Sequence, residues 1–429
     1  MKPDLLNSFF DEINTNSLQY CLIRNFRTDE LSSTHDIDIL LEKSSFPNFK
    51  IILKNLGFKQ IFAGPFPGHA VFIKDDPKNN KFINIDLHID GLIRDGLLYL
   101  PAKKILLKRE RLNNFFIPNT IDYLFALVLH CIIDKKHFKK KYVMEIHDTL
   151  KNKTFDNYEF QKNILKLLPI TGKLFLRNLT LKKYNNLIRM RPLIITERYM
   201  LYPLGLLNTF VIYTKRILKV LNPFWMGPLI VFIGPEGGGK TSNSYSLVER
   251  LHNSAIRAKR VYMGWHEFVI PFLSFLKKTD TKLFFKNESN PSNTSFKTTL
   301  RSLIIFLIYF FELFLRYWIK IYPARKIGVI VVTDRYFYDG LLLYDNIPDF
   351  LKKMMKFFIP RPTVSFYLTA DPKILSIRKN EVPIKTLTKQ LKVYEKDYKK
   401  FGCMKLSSNL HSLNKIESLI NKEVIISSF

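Results

Sequence analysis

The sequence predicts an α/β protein: a C-terminal doubly wound parallel-sheet unit, preceded by an α+β unit and a helical connector. Three observations carry this. The fully apolar run Leu229-Ile230-Val231-Phe232-Ile233 passes into the glycine-rich stretch GPEGGGKT (234–241) and then into a helix-compatible stretch. Beyond it, short β-rich runs alternate with helical ones to the C-terminus, which is the pattern of a parallel sheet wound by helices. In the first 150 residues, HDIDILLE (35–42), AVFIK (70–74) and FINIDLHID (82–90) alternate with a period of two, as half-buried strands do. The expected divisions are therefore 1–150, 151–225 and 226–429.

Taken in order, the first part holds helices at 51–56 and 121–133 among those strands. From 151 to 225 there are few turn signals before Asn222-Pro223, so the connector reads as helical. The second sheet is expected from strands at 229–233, 261–263, 328–333 and 363–368, with a short last one near Lys405. No internal repeat or low-complexity tract interrupts the chain.

The composition fits this division. A chain of 429 residues exceeds one ordinary core, and 47% hydrophobic with 24% charged residues is a globular balance. Cys21, Cys131 and Cys403 are widely spaced and form no pair pattern, which excludes a disulfide framework or a cysteine zinc site. The acidic N-terminal stretch MKPDLLNSFFDEINTN lacks the apolar centre of a secretion signal, so the expected location is cytoplasmic. The net charge is +30, from 67 basic and 37 acidic residues. It reads either as recruitment of an anionic partner or as a compositional bias toward Lys, Asn, Ile and Phe. The basic run from Lys135 to Lys141 has the composition of a solvated helix end, and no aromatic-interleaved nucleic-acid motif accompanies it. The stretch LIIFLIYFFELFLRYWI (303–319) approaches membrane-spanning length but contains Glu312 and Arg316. A crossing there would put Lys240 and Asp334 on opposite sides of a bilayer. The expectation is a buried helix, with peripheral membrane contact as the alternative.

The stretch GPEGGGKT fits G-x-x-x-x-G-K-[ST], and its chemistry explains its residues. Glycines let backbone N–H groups turn around a polyphosphate, and the helix N-terminus adds positive potential. Lys240 is placed to neutralise β and γ oxygens, and the Thr241 hydroxyl to hold Mg²⁺. The expected nucleotide contacts are Gly234, Glu236, Gly237, Gly238, Gly239, Lys240, Thr241 and Ser242. In GVIVVTDRYFYD (328–339) a β-rich run ends at Asp334, which places a second Mg²⁺ ligand at the carboxyl edge of the sheet. Arg335 beside it suits bidentate contact with phosphate.

GPEGGGKT, this DRY element and PTVSFYLTADPKILSIRKNE together resemble the thymidylate kinase branch of P-loop phosphotransferases, over roughly 228 to 429. The resemblance implies ATP and Mg²⁺, with Glu236 toward the acceptor sugar. It also implies metal and phosphate positioning by Asp334, Arg335 and Tyr336, and a basic lid carrying Arg378 and Lys379. The acceptor side departs from the family: Met263-Gly264-Trp265-His266-Glu267 stands in place of Arg-Glu-Pro-Gly. Gly340-Leu341-Leu342-Leu343-Tyr344 replaces Ser-x-x-Ala-Tyr-Gln, and an aromatic, basic insert spans about 268–325. The donor chemistry is thus expected to be kept and the acceptor site rebuilt, for a nucleotide or for a sugar or glycan hydroxyl.

In the first part, Asp36 and Asp38 stand two apart on one strand and share a face. Asp86 projects from the polar side of another, with Asn84, His88 and Asp90. Three converging carboxylates suit divalent metal and attack on an α-phosphate, whereas an amphipathic edge strand with solvated acids shows the same pattern. The arrangement resembles the nucleotidyltransferase superfamily over roughly 18–145, in members where Leu-Arg-Asn precedes D-x-D. The superfamily's Gly-Ser is missing near Arg24-Asn25, where Arg24 could substitute as a phosphate ligand. His130, Asp134 and His137 have metal-compatible helical spacing but no fourth ligand, and read as structural. Three functions stay open: a P-loop kinase, a nucleotidyltransferase using the N-terminal aspartates, and a non-catalytic nucleotide-dependent binder of an anionic partner.

Overall fold

The computed structural model describes residues 3–24, 36–63, 68–76, 81–152, 155–254, 256–264, 268–270, 296–343, 347–379, 382–408 and 413–428. Asn25, His35, Trp265, His266, Glu267, Tyr344 and residues 271–295 of the insert lie outside them, as does the side chain of Asp36. The chain divides into two compact units, Met1–Asp76 with Ile83–Leu221, and Asn222–Phe429 with Pro77–Phe82.

The first unit is built on a five-stranded mixed sheet: β1 (Tyr20–Leu22), β2 (Asp36–Leu41), β3 (Lys59–Ala63), β4 (His69–Asp76) and β5 (Lys81–Ile89), in the order β1-β2-β5-β4-β3. β1 runs antiparallel to β2, and β2 runs parallel to β5. The period-two pattern sorts their side chains. Ile37, Ile39, Leu41, Ile85 and Leu87 pack against Phe9 and Phe10 of the Pro3–Thr15 helix and Phe49 and Leu53 of the Phe46–Asn55 helix. Leu40, on the opposite face, joins the core of the Thr120–Leu129 helix through Leu124, Val128 and their neighbours. That core continues through Phe160, Ile164, Phe175, Leu179 and Ile194 into the helices of 157–201. Two hairpins, β6 (Gly91–Arg94) with β7 (Leu97–Pro101) and β8 (Glu110–Leu112) with β9 (Phe115–Ile117), complete the strands.

β1, β8 and β9 have three residues each, too few for a period to show, and KQIFA, GLIR and LLYLP of β3, β6 and β7 do not alternate. The helix expected at 121–133 is α-helical only to Leu129, and continues as a π-helical turn at His130–Lys135. β5 is an internal strand paired with β2 rather than an edge strand.

The second unit holds a parallel sheet of β10 (Leu229–Ile233), β11 (Ala258–Tyr262), β12 (Ile330–Asp334), β13 (Val364–Thr369) and β14 (Cys403–Ser407), in the order β11-β12-β10-β13-β14. Every predicted strand is present: β10 has its expected bounds, β11, β12 and β13 have ends shifted by one to three residues, and β14 surrounds Lys405. β10 is central, and connections leave it to both sides, which puts its carboxyl end at the switch point where such sheets bind ligands. Leu229, Val231 and Ile233 face a layer containing Phe306, Phe310 and Leu313 of the Phe296–Arg316 helix, with Phe337 and Tyr394. On the other side the Lys240–Asn253 helix is joined to the Leu413–Ser428 helix by the Arg250–Glu417 ion pair, with Ser246 Oγ 2.9 Å from Glu417 Oε1.

In the Phe296–Arg316 helix the two charges that interrupt the apolar stretch lie inside the unit. Glu312 and Arg316 are fully buried and paired at 2.6 Å. Glu312 accepts the Val269 N–H at 2.7 Å, while Arg316 donates to Tyr262 O and Gly264 O at 3.1 and 2.7 Å. The two charges pair with each other and with backbone groups inside the unit. Among the described residues, no helix is long and apolar enough to cross a membrane.

Candidate functional site

The second unit's site forms where β10 and β12 end side by side, with Phe232 in register with Asp334. Directly after β10, Gly234 adopts φ +140°, and a Cβ there would stand 2.2 Å from Leu368 O on β13. Gly237 has φ +76° and passes Leu375 O with room for no side chain, at 2.8 Å from the position of its Cβ. These contacts require glycine and wrap the loop tightly over the sheet. Gly238 and Gly239 complete the turn, and Gly239 is the N-cap of the Lys240–Asn253 helix.

Lys240 is buried, and its Nζ donates to Gly234 O and Pro235 O, each at 2.7 Å. Burial, with the Arg335 cation nearby, pushes its ammonium down to about 8 despite Glu236, Asp339 and Asp334. Thr241 Oγ1 donates to Asp334 Oδ2 at 2.7 Å, so the two expected metal ligands meet across the β10–β12 edge. Asp334 is almost wholly buried, and its Oδ1 has no hydrogen-bond partner among the described residues. A buried carboxylate oxygen left unpaired beside a hydroxyl is the donor set a hard divalent cation uses. Ser242 is exposed on the first turn.

Glu236 is the centre of a second group. Arg335 donates to its Oε1 and Lys379 Nζ to its Oε2, the latter at 2.7 Å. Burial opposes charge on this carboxylate, but Arg335 and Lys240 hold it well below its usual range. Arg335 itself has φ +72°, an uncommon conformation for a residue with a Cβ, and one that concentrates at functional sites. Arg378, expected in the lid, instead bonds Ser408 Oγ at 3.1 Å, and its neighbour Lys379 takes the contact with the loop. Tyr336 of the DRY element is fully buried and donates to Pro360 O at 2.5 Å, which makes it a packing residue here.

Two residues of this site escaped the sequence reading. Arg260 on β11 pairs with Asp334, donates to Ser244 Oγ at 2.8 Å and lies 4.0 Å from the Tyr245 ring centroid. It was hidden among the basic residues of Ala258–Tyr262. Asp339 accepts from Gly234 N at 3.3 Å, Tyr336 N at 2.9 Å and the Tyr394 hydroxyl, tying the DRY segment to the loop. Its place five residues after Asp334, in the same quoted stretch, was the available signal.

In the first unit, the β2–β5 register sets Asp38 opposite Asp86. His88, two residues further along β5 on the same face, brings its ring close: Asp38, Asp86 and His88 each offer a ligand atom within 4.8 Å of the others. Asp38 pairs with Arg24 at 2.5 Å and stands 3.6 Å from His88 Nε2, while Asp86 pairs with His69. Burial disfavours charge on Asp38, but Arg24 and His88 hold its carboxyl far below the ordinary value. Burial likewise favours a neutral His88, and the nearby Asp86 and Asp38 outweigh it and raise its pKa. Arg24 also donates to His130 Nε2, and His130 Nδ1 is 2.8 Å from Asp134 Oδ2, which the Tyr99 hydroxyl reaches at 2.7 Å. His130 and Asp134 thus orient Arg24. His137 bonds Lys135 O at 2.8 Å instead, so the three residues do not converge.

No protein-family model matches the chain, and no curated protein matches its sequence. Among solved structures, a thymidylate kinase from Candida albicans superposes with a TM-score of 0.34 at 13% identity, over 46% of this chain and 91% of that one. A thymidylate kinase from Ehrlichia chaffeensis gives a TM-score of 0.30 at 17% identity, over 47% of this chain and 98% of that one. At that level of likeness the reading of the site rests on its own geometry.

Proposed function

We propose that this protein is an ATP- and Mg²⁺-dependent phosphotransferase of the P-loop kinase class, acting on a nucleotide or on a sugar or glycan hydroxyl. The observation that carries the reading is the meeting of Thr241 and Asp334, with Asp334 Oδ1 buried and unpaired at the mouth of the glycine-rich loop. Thr241 and Asp334 are the residues that would hold Mg²⁺, which supplies charge neutralisation at the donor phosphates. Lys240 exchanges its two loop carbonyls for phosphate oxygens, and its ammonium is then held charged by the anion it meets. Arg335 and Lys379 hold Glu236 as a carboxylate, a hydrogen-bond acceptor for a hydroxyl of the acceptor. Arg260 and Asp339 are positioning residues: the first steadies Asp334 from β11, the second the start of the loop. The test is release of ADP from ATP across nucleotide, sugar and glycan acceptors, with the fold checked by thermal melting. Transfer to none of them by the folded protein overturns the reading.

A second reading is favoured by the Asp38, Asp86 and His88 group: nucleotidyl transfer in the first unit, with release of pyrophosphate rather than ADP. If Asp38→Asn leaves all pyrophosphate release unchanged, that reading fails.

A further inference from the structure

The Leu204–Leu221 helix inverts the usual pattern of a surface helix. Such a helix normally turns its apolar stripe to the core and its polar face to water. Here the side turned to the first unit is a narrow line of Gly205 and Ile212, supported by Thr209 Oγ1 on Asp95 O at 2.7 Å and by Arg216 on Asp95 Oδ1 at 3.0 Å. The approach is close, for a Cβ on Gly96 would stand 2.7 Å from Thr209 N. Six large apolar residues point the other way: Leu206, Leu207, Phe210, Ile217, Leu218 and Leu221 are all exposed, Phe210 by 70% and Leu221 by 69%. At 3.6 residues per turn these six occupy an arc of about 120° opposite the docking line. Lys215 and Lys219, also exposed, stand between that arc and the docking line.

We infer that this helix is an in-plane membrane anchor, which lays its apolar arc into the headgroup boundary of an anionic bilayer. Three features select this occupant. A broad Leu, Ile and Phe face bordered by lysines is the pattern of interfacial helices, whose long side chains reach the headgroups while their stems stay in apolar surroundings. The helix is not apolar enough to cross, for its 18 residues include Lys215, Arg216 and Lys219, so its contact with lipid is parallel to the surface. The chain's net charge of +30 complements an anionic leaflet rather than a neutral one. The inference stands apart from the proposed phosphotransfer, because none of these residues belongs to that site.

The experiment is flotation of the full-length protein with phosphatidylcholine vesicles, with and without phosphatidylglycerol, at low and high salt. The wild type is expected to float with the anionic vesicles and to be released by salt. Phe210→Ser with Leu218→Ser should weaken binding by more than about tenfold, since both side chains leave the apolar phase. Lys215→Gln and Lys219→Gln should each weaken it about fivefold on anionic vesicles only. Phe210→Trp, a conservative change at an exposed position, should show blue-shifted emission when anionic vesicles are added. Failure of the wild type to float, no blue shift, or full binding by the double serine variant overturns the inference. So does a wild-type dimer that those serines abolish in the absence of vesicle binding, which would make the occupant a second copy of the chain.

Discussion

Lys379 Nζ lies 2.7 Å from Glu236 Oε2, so a residue far down the chain closes on the glycine-rich loop from the end of the Pro372–Arg378 helix. Together with Arg335 and Lys240 it keeps the Glu236 carboxyl ionised below its ordinary pKa of 4.5. A carboxyl lowered in the folded state contributes stability above its unfolded pKa and loses it as the pH falls toward the folded value. Glu236→Gln should therefore flatten the fall in melting temperature below about pH 4.5. Parallel acid limbs for variant and wild type would show that Glu236 is not held in this way.

Under the proposed phosphotransfer, Lys240→Ala removes the ammonium that would meet the donor phosphates. Loss of a contact of this kind costs about 10²- to 10³-fold in rate, and ADP release should fall by that much. Asp334→Asn should follow it, because a neutral amide would neither neutralise the proposed Mg²⁺ nor form the ion pair with Arg260. Melting curves close to wild type would locate both losses in the chemistry.

Breaking the Glu312–Arg316 pair leaves an uncompensated charge at a fully buried position. Arg316→Met is expected to cost about 3–5 kcal/mol, whereas Glu312→Leu combined with Arg316→Leu should cost less, since no charge is then stranded. Urea titration of the two variants measures the difference. A double variant worse than the single one would contradict this account.

Gly234→Ala forces a methyl group against Leu368 O in a conformation that L residues rarely adopt. The loop has to lift from the sheet, and nucleotide binding should be lost even where the protein remains folded. Equilibrium binding of a fluorescent ATP analogue, alongside circular dichroism, separates the two effects.

Asp86→Asn should leave ADP release unchanged and lower the affinity of the first unit for Mn²⁺, measured by titration calorimetry. A variant that abolishes ADP release would instead put the phosphotransfer in the other half of the protein.

The sequence was most informative where a backbone requirement dictates residue type. The glycine spacing before Lys240 and the apolar run ending at Asp334 located two adjacent strand ends, and the geometry joins Thr241 to Asp334 there. Asp38 and Asp86 were visible from period two alone, but their register depends on which strands pair, and that is a non-local fact. His69 and His88 entered for the same reason: their relevance lies in contacts across strands rather than in spacing. Arg260 was unreadable because a lysine- and arginine-rich strand gives no sign of which cation turns inward. Arg378 and Lys379 were indistinguishable as neighbours, and only the end of the helix decides which of them faces Glu236.

The pairing of β11 with β12 has a kinetic consequence. β11 ends at Tyr262 and its partner begins at Ile330, so the second unit must close a long stretch of chain before either strand gains its hydrogen bonds. Closure entropy is lost early and recovered late in such pairings, which slows folding and lengthens the time that apolar strand edges stay open. The Phe296–Arg316 helix lies within that stretch, and its Arg316 holds the carbonyls of Tyr262 and Gly264. The expected order is that this helix docks on β10 and the end of β11 before β12 slots between them. A refolding experiment on Arg316→Met should show a slower main phase, with the unfolding rate changed less.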